Sequence, residues 1–128
     1  MKKIFIIVMF ILLSPVFVFA KEVYKELKVE VRFYAPSSWS KTNGGQKNTS
    51  FKARPKSNRT LAISRDLYRK GILKPGNKVF VPNLGYFIVE DLMGPKARGN
   101  QIDICVDSKK EALKLGVLRN KIIYIIED

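Results

Sequence analysis

The sequence predicts a small, mainly β protein that closes into a six-stranded barrel with two short helices. Short apolar segments recur along about a hundred residues, and turn residues separate them. Only two segments carry helix start and stop signals. Closing such apolar strands into a barrel removes the exposed edges that they would otherwise offer for aggregation.

Six segments carry the strand signals. The first alternates apolar and charged residues, the third and fourth flank the turn Pro82–Gly85 as a hairpin, and the last is almost entirely apolar, so we expect it to be buried on both faces. The predicted strands are Val23–Phe33, Thr60–Ile63, Lys78–Val81, Tyr86–Val89, Ile102–Val106 and Lys121–Ile126.

Two serine-capped segments are predicted to be helices. Ser64 precedes Arg65–Lys70, which Gly71 ends, and Ser108 precedes Lys109–Leu115, which Gly116 ends. Two further segments are predicted to be loops: residues 38–59, which are basic and polar and which we expect to be flexible, and residues 91–100.

The N-terminal residues 1–20 resemble a cleavable signal peptide. Lys2 and Lys3 precede the apolar run Ile4–Leu13, and Val18-Phe19-Ala20 suits a signal peptidase. An uncleaved membrane anchor is the alternative. Cleavage would leave residues 21–128 as one exported domain in a periplasm, a cell wall or the medium.

The charge of the chain favours anionic partners. Twenty-four Lys and Arg residues face eleven Asp and Glu residues, which gives a net charge of +13. On an export route the available polyanions are wall polymers and anionic lipids, and we expect no nucleic acid partner. No amphipathic basic helix supports attachment to lipid, and we expect no membrane span after cleavage.

The residue inventory excludes several reaction types. Cys105 is the single cysteine and the chain has no histidine, so an intramolecular disulfide, a Cys–His pair and a Ser–His–Asp triad are all impossible. Acid–base catalysis would have to use Asp or Glu. Zinc sites built from histidines are excluded as well, and we interpret Cys105 as a small core residue.

Two aspartates are candidates for that chemistry. Asp103 interrupts the apolar residues Ile102 and Ile104, so its side chain points away from theirs, and Asp91 follows the fourth strand. Two carboxyls brought together would raise the pKa of one of them and leave it protonated at neutral pH. The alternative is that each only makes local backbone hydrogen bonds.

Several blocks of the chain resemble the three-aspartate (3D) domain family, over residues 29–126. The most specific are the Val-Glu-Asp end of the hairpin and the Gly-Asn-x-Ile-Asp block. The matching blocks are Thr60–Leu67, Gly76–Pro82, Gly85–Asp91, Gly99–Ile104 and Ala112–Val117.

The resemblance implies a double-psi β-barrel. It also implies kinship with membrane-bound lytic transglycosylase A and the stationary-phase muralytic enzymes. These cleave peptidoglycan glycan strands between N-acetylmuramic acid and N-acetylglucosamine and leave a 1,6-anhydro end. By matching motif, Asp103 is implied as the general acid/base, with Asp91 as its supporting carboxylate. The resemblance implies no metal and no cofactor. A non-catalytic barrel that binds peptidoglycan is the alternative function, and we expect a monomer in either case.

The chain departs from the family at the first aspartate. Ser64 occupies that position, and Asp66 follows two residues later. Asp66 either replaces the lost carboxylate as a third catalytic candidate or only serves the helix N-terminus.

Six further residues are candidates for substrate binding. Tyr34 matches an aromatic residue of the family and either packs on a sugar face or on the barrel rim. The others belong to the matching blocks or to the basic loop before Asp103. They are Thr60, Ser64, Lys96, Arg98 and Asn100.

Overall fold

The computed structural model describes residues 23–35 and 49–127. The predicted signal peptide, residues 1–20, lies outside the described residues. So does the part of the predicted loop 38–59 that precedes residue 49.

The described residues form a closed, mixed β-barrel. The strands follow one another around it in the order β1-β5-β2-β4-β3-β6, with β1–β5 and β2–β4 parallel and the other pairs antiparallel. The predicted mainly β, closed six-stranded barrel with two short helices is therefore confirmed. Its elements are β1 (Val23–Tyr34), β2 (Thr60–Ile63), α1 (Arg65–Arg69), β3 (Lys78–Val81), β4 (Gly85–Leu92), β5 (Gln101–Cys105), α2 (Lys109–Leu115) and β6 (Leu118–Glu127).

Branched aliphatic side chains fill the barrel. They occupy alternate positions along the strands, because successive side chains of a strand point to opposite faces. Burying each one stabilises the fold by roughly 1.5–3 kcal/mol relative to exposure. The fully buried members include Val31, Leu61, Ile63, Val79, Ile102 and Ile123.

Both helices begin at the predicted serines. The Ser64 Oγ accepts a hydrogen bond from the backbone N–H of Leu67 (3.2 Å), and the Ser108 Oγ accepts one from that of Glu111 (3.1 Å). Gly116 ends α2 with φ at 69°, in the left-handed region that glycine adopts without strain.

The fourth strand is longer than predicted. Residues Asp91 and Leu92 were expected to begin a loop, but they continue β4 because β2 pairs with them through Ala62 and Ile63. The register between the two strands shifts by one residue of β4, because Leu61 pairs with Val89 and the next residue, Ala62, pairs with Asp91. The hairpin between β3 and β4 is confirmed.

The last strand is not buried on both faces, so that prediction is wrong. Ile123 and Ile125 are buried inside the barrel, whereas Tyr124 is partly exposed on the outside. Tyr124 lies in a row of aromatic rings that crosses four strands, with centroid distances of 5.3, 6.4 and 4.9 Å between neighbours. The row consists of Tyr24, Tyr124, Phe80 and Tyr86. The aromatic contacts of Tyr124 on the outer face, together with the buried Ile123 and Ile125 on the inner face, account for the almost continuous apolar pattern of β6.

The described part of the predicted loop, residues 49–59, contains no helix or strand. It nevertheless has contacts with the barrel. The backbone N–H of Asn58 donates to the Cys105 carbonyl (2.8 Å), and Phe51 packs against the core and lies 5.4 Å from the ring of Tyr68. Among the described residues, no helix has the length and apolar character needed to cross a membrane.

Candidate active-site groove

The strand register aligns four side chains across the barrel. Arg32 in β1 pairs with Asp103 in β5, Asp103 pairs with Ala62 in β2, and Ala62 pairs with Asp91 in β4. Directly paired residues point to the same face of a sheet, and their neighbours Val31, Leu61 and Ile102 point into the core. The row therefore lies on the outside of the barrel. Two strand spacings separate the backbones of Asp103 and Asp91, about 10 Å.

This row forms the floor of a groove of about 790 Å³, which we call the aspartate groove. Because Ala62 carries only a methyl group, it leaves space between the two carboxyls. Residues from α2 and the segment after it form one part of the wall, and Thr49, Ser50 and Pro55 form another. The wall and end residues include Tyr34, Thr49, Ser50, Arg65, Met93, Gly94, Lys109, Leu113 and Val117.

Asp103 is a carboxyl withdrawn from water. Its side chain is partly exposed as a whole, but its Oδ1 is buried and accepts no hydrogen bond from any described residue. Burial raises the pKa of Asp103 to about 7; Arg32 opposes this rise and the charge of Asp91 adds to it. Near neutral pH the protonated and ionised forms are therefore both populated, as a general acid/base requires.

Asp91 has a structural role besides its place in the groove. Its Oδ1 accepts hydrogen bonds from the backbone N–H of Leu92 (2.8 Å) and from that of Ser50 (2.9 Å). The first bond is the local contact that the alternative interpretation expected. The second connects β4 to a residue 41 positions away in the chain and so holds one wall of the groove in place.

Tyr34 lies in the groove with its hydroxyl buried. The hydroxyl makes no hydrogen bond of standard geometry to a described residue, although Asp91 lies near it. Burial raises the pKa of Tyr34 far above its usual range, and the charge of Asp91 is the next largest cause. The phenol therefore keeps its proton. Tyr34 can therefore donate a hydrogen bond to a ligand oxygen.

Cys105 is a small core residue, as predicted from the apolar pattern around it. Its side chain is fully buried, and burial followed by the charge of Asp107 raises the pKa of the thiol to about 12. A thiol that does not ionise near neutral pH is not a nucleophile.

Ser64 and Asp66 lie outside the aspartate groove and hold the loop before β5. The Ser64 Oγ donates to the carbonyl of Gly99 (2.6 Å), and the Gly99 N–H donates to Asp66 Oδ2 (2.6 Å). That N–H bond, assisted by Arg69, lowers the pKa of Asp66. Ser64 is fully buried, so it has no surface for a substrate.

The remaining predicted binding residues do not line the groove either. Thr60 is fully buried and donates to Glu90 Oε1 (2.6 Å). Asn100 donates from Nδ2 to the Lys28 carbonyl (3.2 Å). Lys96 and Arg98 lie in the loop that precedes β5.

Two arginines of the groove were not predicted. Arg32 shares the outer face of β1 with Tyr34, so the two-residue period could have identified it. Its Nε donates to Glu30 Oε2 (2.7 Å). Arg65 is the first residue of α1, and no sequence signal indicated that its side chain would reach the groove.

Within residues 23–35 and 49–127, no three acidic or cysteine side chains are grouped so that they could hold a metal ion. No family model matches the chain, and no significant match exists among curated proteins.

Proposed function

We propose that this protein is an exported peptidoglycan lytic transglycosylase that uses Asp103 as its general acid and base. The observation that carries the proposal is the Asp103 carboxyl, which holds a proton near neutral pH on the floor of an open groove. The volume of the groove suits sugar rings. The resemblance of Gly99–Ile104 and Gly85–Asp91 to three-aspartate domains supports the choice of substrate.

The proposed reaction needs a single carboxyl. Protonated Asp103 donates its proton to the glycosidic oxygen, and the bond from that oxygen to C1 of N-acetylmuramic acid breaks. The Asp103 carboxylate then accepts the proton of the C6 hydroxyl, whose oxygen forms a bond to C1. Asp103 ends protonated, and no water is consumed, in contrast to the two-carboxylate hydrolases.

Neighbouring side chains support both halves of this cycle. Arg32 lowers the pKa of Asp103 and so stabilises the carboxylate that exists between the two proton transfers. The charge of Asp91 raises the pKa of Asp103 and so favours the protonated starting state. The Tyr34 hydroxyl, which has no hydrogen bond of standard geometry to a described residue, is available to hold a sugar oxygen.

The replacement Asp103→Asn tests the proposal, because an amide cannot donate the proton. On purified sacculi we expect the native protein to release anhydromuropeptides, detected by mass spectrometry. We expect the variant to lose at least a hundredfold in rate, as loss of a general acid does. Asp107→Asn is the matched control, since Asp107 is exposed and does not line the groove. Near-normal turnover by a folded Asp103→Asn variant would refute the assignment.

A non-catalytic peptidoglycan-binding barrel is the second candidate. It is favoured by Ser64, which bonds to Gly99 where the resemblance implies a third carboxylate, so two aspartates rather than three line the groove. The same sacculi distinguish the two functions. Intact sacculi that retain the protein in a pull-down would support the binding module.

A further inference from the structure

Unsatisfied polar atoms are concentrated in the aspartate groove. Among the described residues, four buried side-chain nitrogen or oxygen atoms lack a hydrogen-bond partner: Tyr34 Oη, Ser57 Oγ, Arg65 Nε and Asp103 Oδ1. Three of the four belong to side chains that line this groove. Buried polar groups without partners are uncommon, so their concentration at one place indicates a polar ligand.

The backbones of Arg65 and Tyr34 lie near opposite ends of β2. Tyr34 pairs with Cys105, and the preceding residue of β5, Ile104, pairs with Leu61 near the start of β2. Arg65 follows the other end of β2 and lines the groove together with Met93 and Gly94. Because both side chains line the same groove as Asp103, a chain-like ligand bound in it can contact both of them.

The charge of Arg65 has no partner in the described part of the protein. Arg32, the other arginine of the groove, forms an ion pair with Glu30 at 2.7 Å, whereas no described carboxylate lies within ion-pair distance of Arg65. A guanidinium keeps its charge at physiological pH and binds carboxylates and phosphates through its fork of N–H donors. A partly buried guanidinium without a counter-ion is a site for an oxyanion of a ligand.

We propose that Arg65 binds an oxyanion of the substrate at the Gly94 end of the aspartate groove, and that a carboxylate of the peptide stem supplies it. This inference rests on the proposed function, because it takes the glycan strand to be the ligand. The site makes stem-bearing strands better substrates than bare strands. Wall phosphate polymers offer the same oxyanion chemistry and are the other source.

The test compares glycan strands with and without their peptide stems. We expect the native protein to prefer stem-bearing strands about tenfold or more in kcat/KM, as one charge-assisted contact allows. Arg65→Gln removes that preference, so that the variant cleaves stem-bearing and bare strands with similar kcat/KM, and Arg65→Lys retains part of it. Arg69→Gln is the matched control, because it removes one positive charge from the same helix outside the groove. Thermal unfolding establishes that each variant is folded.

Binding measurements separate failure of this inference from failure of the proposed function. Asp103→Asn protein is titrated with stem-bearing and stem-free fragments, with and without Arg65→Gln. A preference for stems that depends on Arg65 supports the inference even if no strand is ever cleaved. Equal affinity for both fragments overturns it. Affinity for a wall phosphate polymer that depends on Arg65, without a preference for stems, would assign the oxyanion to phosphate and overturn the stem assignment.

Discussion

At the scale of single residues, the burial of Asp103 affects both its protonation state and the stability of the folded protein. Removing a carboxyl from water disfavours its ionised form, which is why a large fraction of Asp103 is still protonated near neutral pH. The same effect makes the folded state less stable whenever Asp103 has to ionise. The proton that the proposed mechanism transfers therefore also affects the stability of the fold.

The pH dependence of stability follows from the sign of this shift. The pKa of Asp103 is about 7 in the folded protein against an ordinary 3.8, so its contribution to stability is complete below about pH 4 and is lost as the pH rises through 7. Asp103→Asn has no such loss. Relative to the native protein, we expect the variant to gain roughly 2–4 kcal/mol in unfolding free energy between about pH 4 and pH 8.

Urea unfolding of both proteins at the two pH values measures this difference. Asp107→Asn serves as the control, because its side chain is exposed. A stability difference between the Asp103→Asn variant and the native protein that does not change with pH would show that Asp103 ionises normally.

Asp91 fixes a wall of the groove through one oxygen atom. Asp91→Ala removes the acceptor for the Ser50 and Leu92 N–H groups, and we expect it to lower the unfolding free energy by about 1–3 kcal/mol. Asp91→Asn keeps an oxygen acceptor, so we expect it to lower the unfolding free energy by less than Asp91→Ala does. Amide hydrogen exchange at Ser50 measures the local effect. Unchanged exchange in the alanine variant would contradict this role for Asp91.

At the scale of elements, Ser64 connects three parts of the barrel. It caps α1, follows β2 directly and bonds to the loop before β5 through Gly99. Asp66 holds the same glycine from the other side, through its N–H group. The departure from the family pattern at Ser64 therefore places a structural hydrogen bond where the resemblance implies a carboxylate.

Ser64→Ala and Ser108→Ala compare the two caps directly. Both variants lose an N-cap, which costs about 1 kcal/mol, but only Ser64→Ala also loses a partly buried hydrogen bond to a distant loop. We expect Ser64→Ala to destabilise the protein by about 2–3 kcal/mol and Ser108→Ala by about 1 kcal/mol or less. Chemical unfolding gives both values. Equal losses would mean that the Gly99 contact contributes nothing.

Local signals predicted these elements well because their causes are local. Ser64 and Ser108 cap the next turn of the chain, and the turn Pro82–Gly85 lies between two strands that it joins. The extension of β4 through Asp91 could not be predicted in this way. It depends on pairing with β2, which lies about thirty residues earlier in the chain.

At the scale of the whole molecule, barrel closure decides which residues meet. The alternation of β5 predicted that Asp103 points away from Ile102, but it could not predict that Ala62 would separate Asp103 from Asp91. The resemblance placed Asp91 and Asp103 in one site, and both line the groove. The role of Arg65 could not be predicted, because its side chain lines the groove only through the arrangement of β2, β4 and α1.

The net charge of +13 gives the molecule a long-range attraction for polyanions. We expect retention on purified sacculi to weaken severalfold as the salt concentration rises from about 0.05 M to about 0.5 M, because ions screen exposed charges. Sedimentation of the protein with sacculi measures the retained fraction. Retention that is independent of salt would attribute binding to the groove alone.

The most direct measurement is digestion of glycan strands in heavy-oxygen water by the native protein and by Asp103→Asn. We expect the native protein to produce new anhydro ends that carry no heavy oxygen, and the variant to leave the strands intact. Reducing ends that contain heavy oxygen would show hydrolysis, and intact strands with the native protein would show that Asp103 does not transfer a proton to a glycosidic oxygen. Either result would contradict the proposed mechanism.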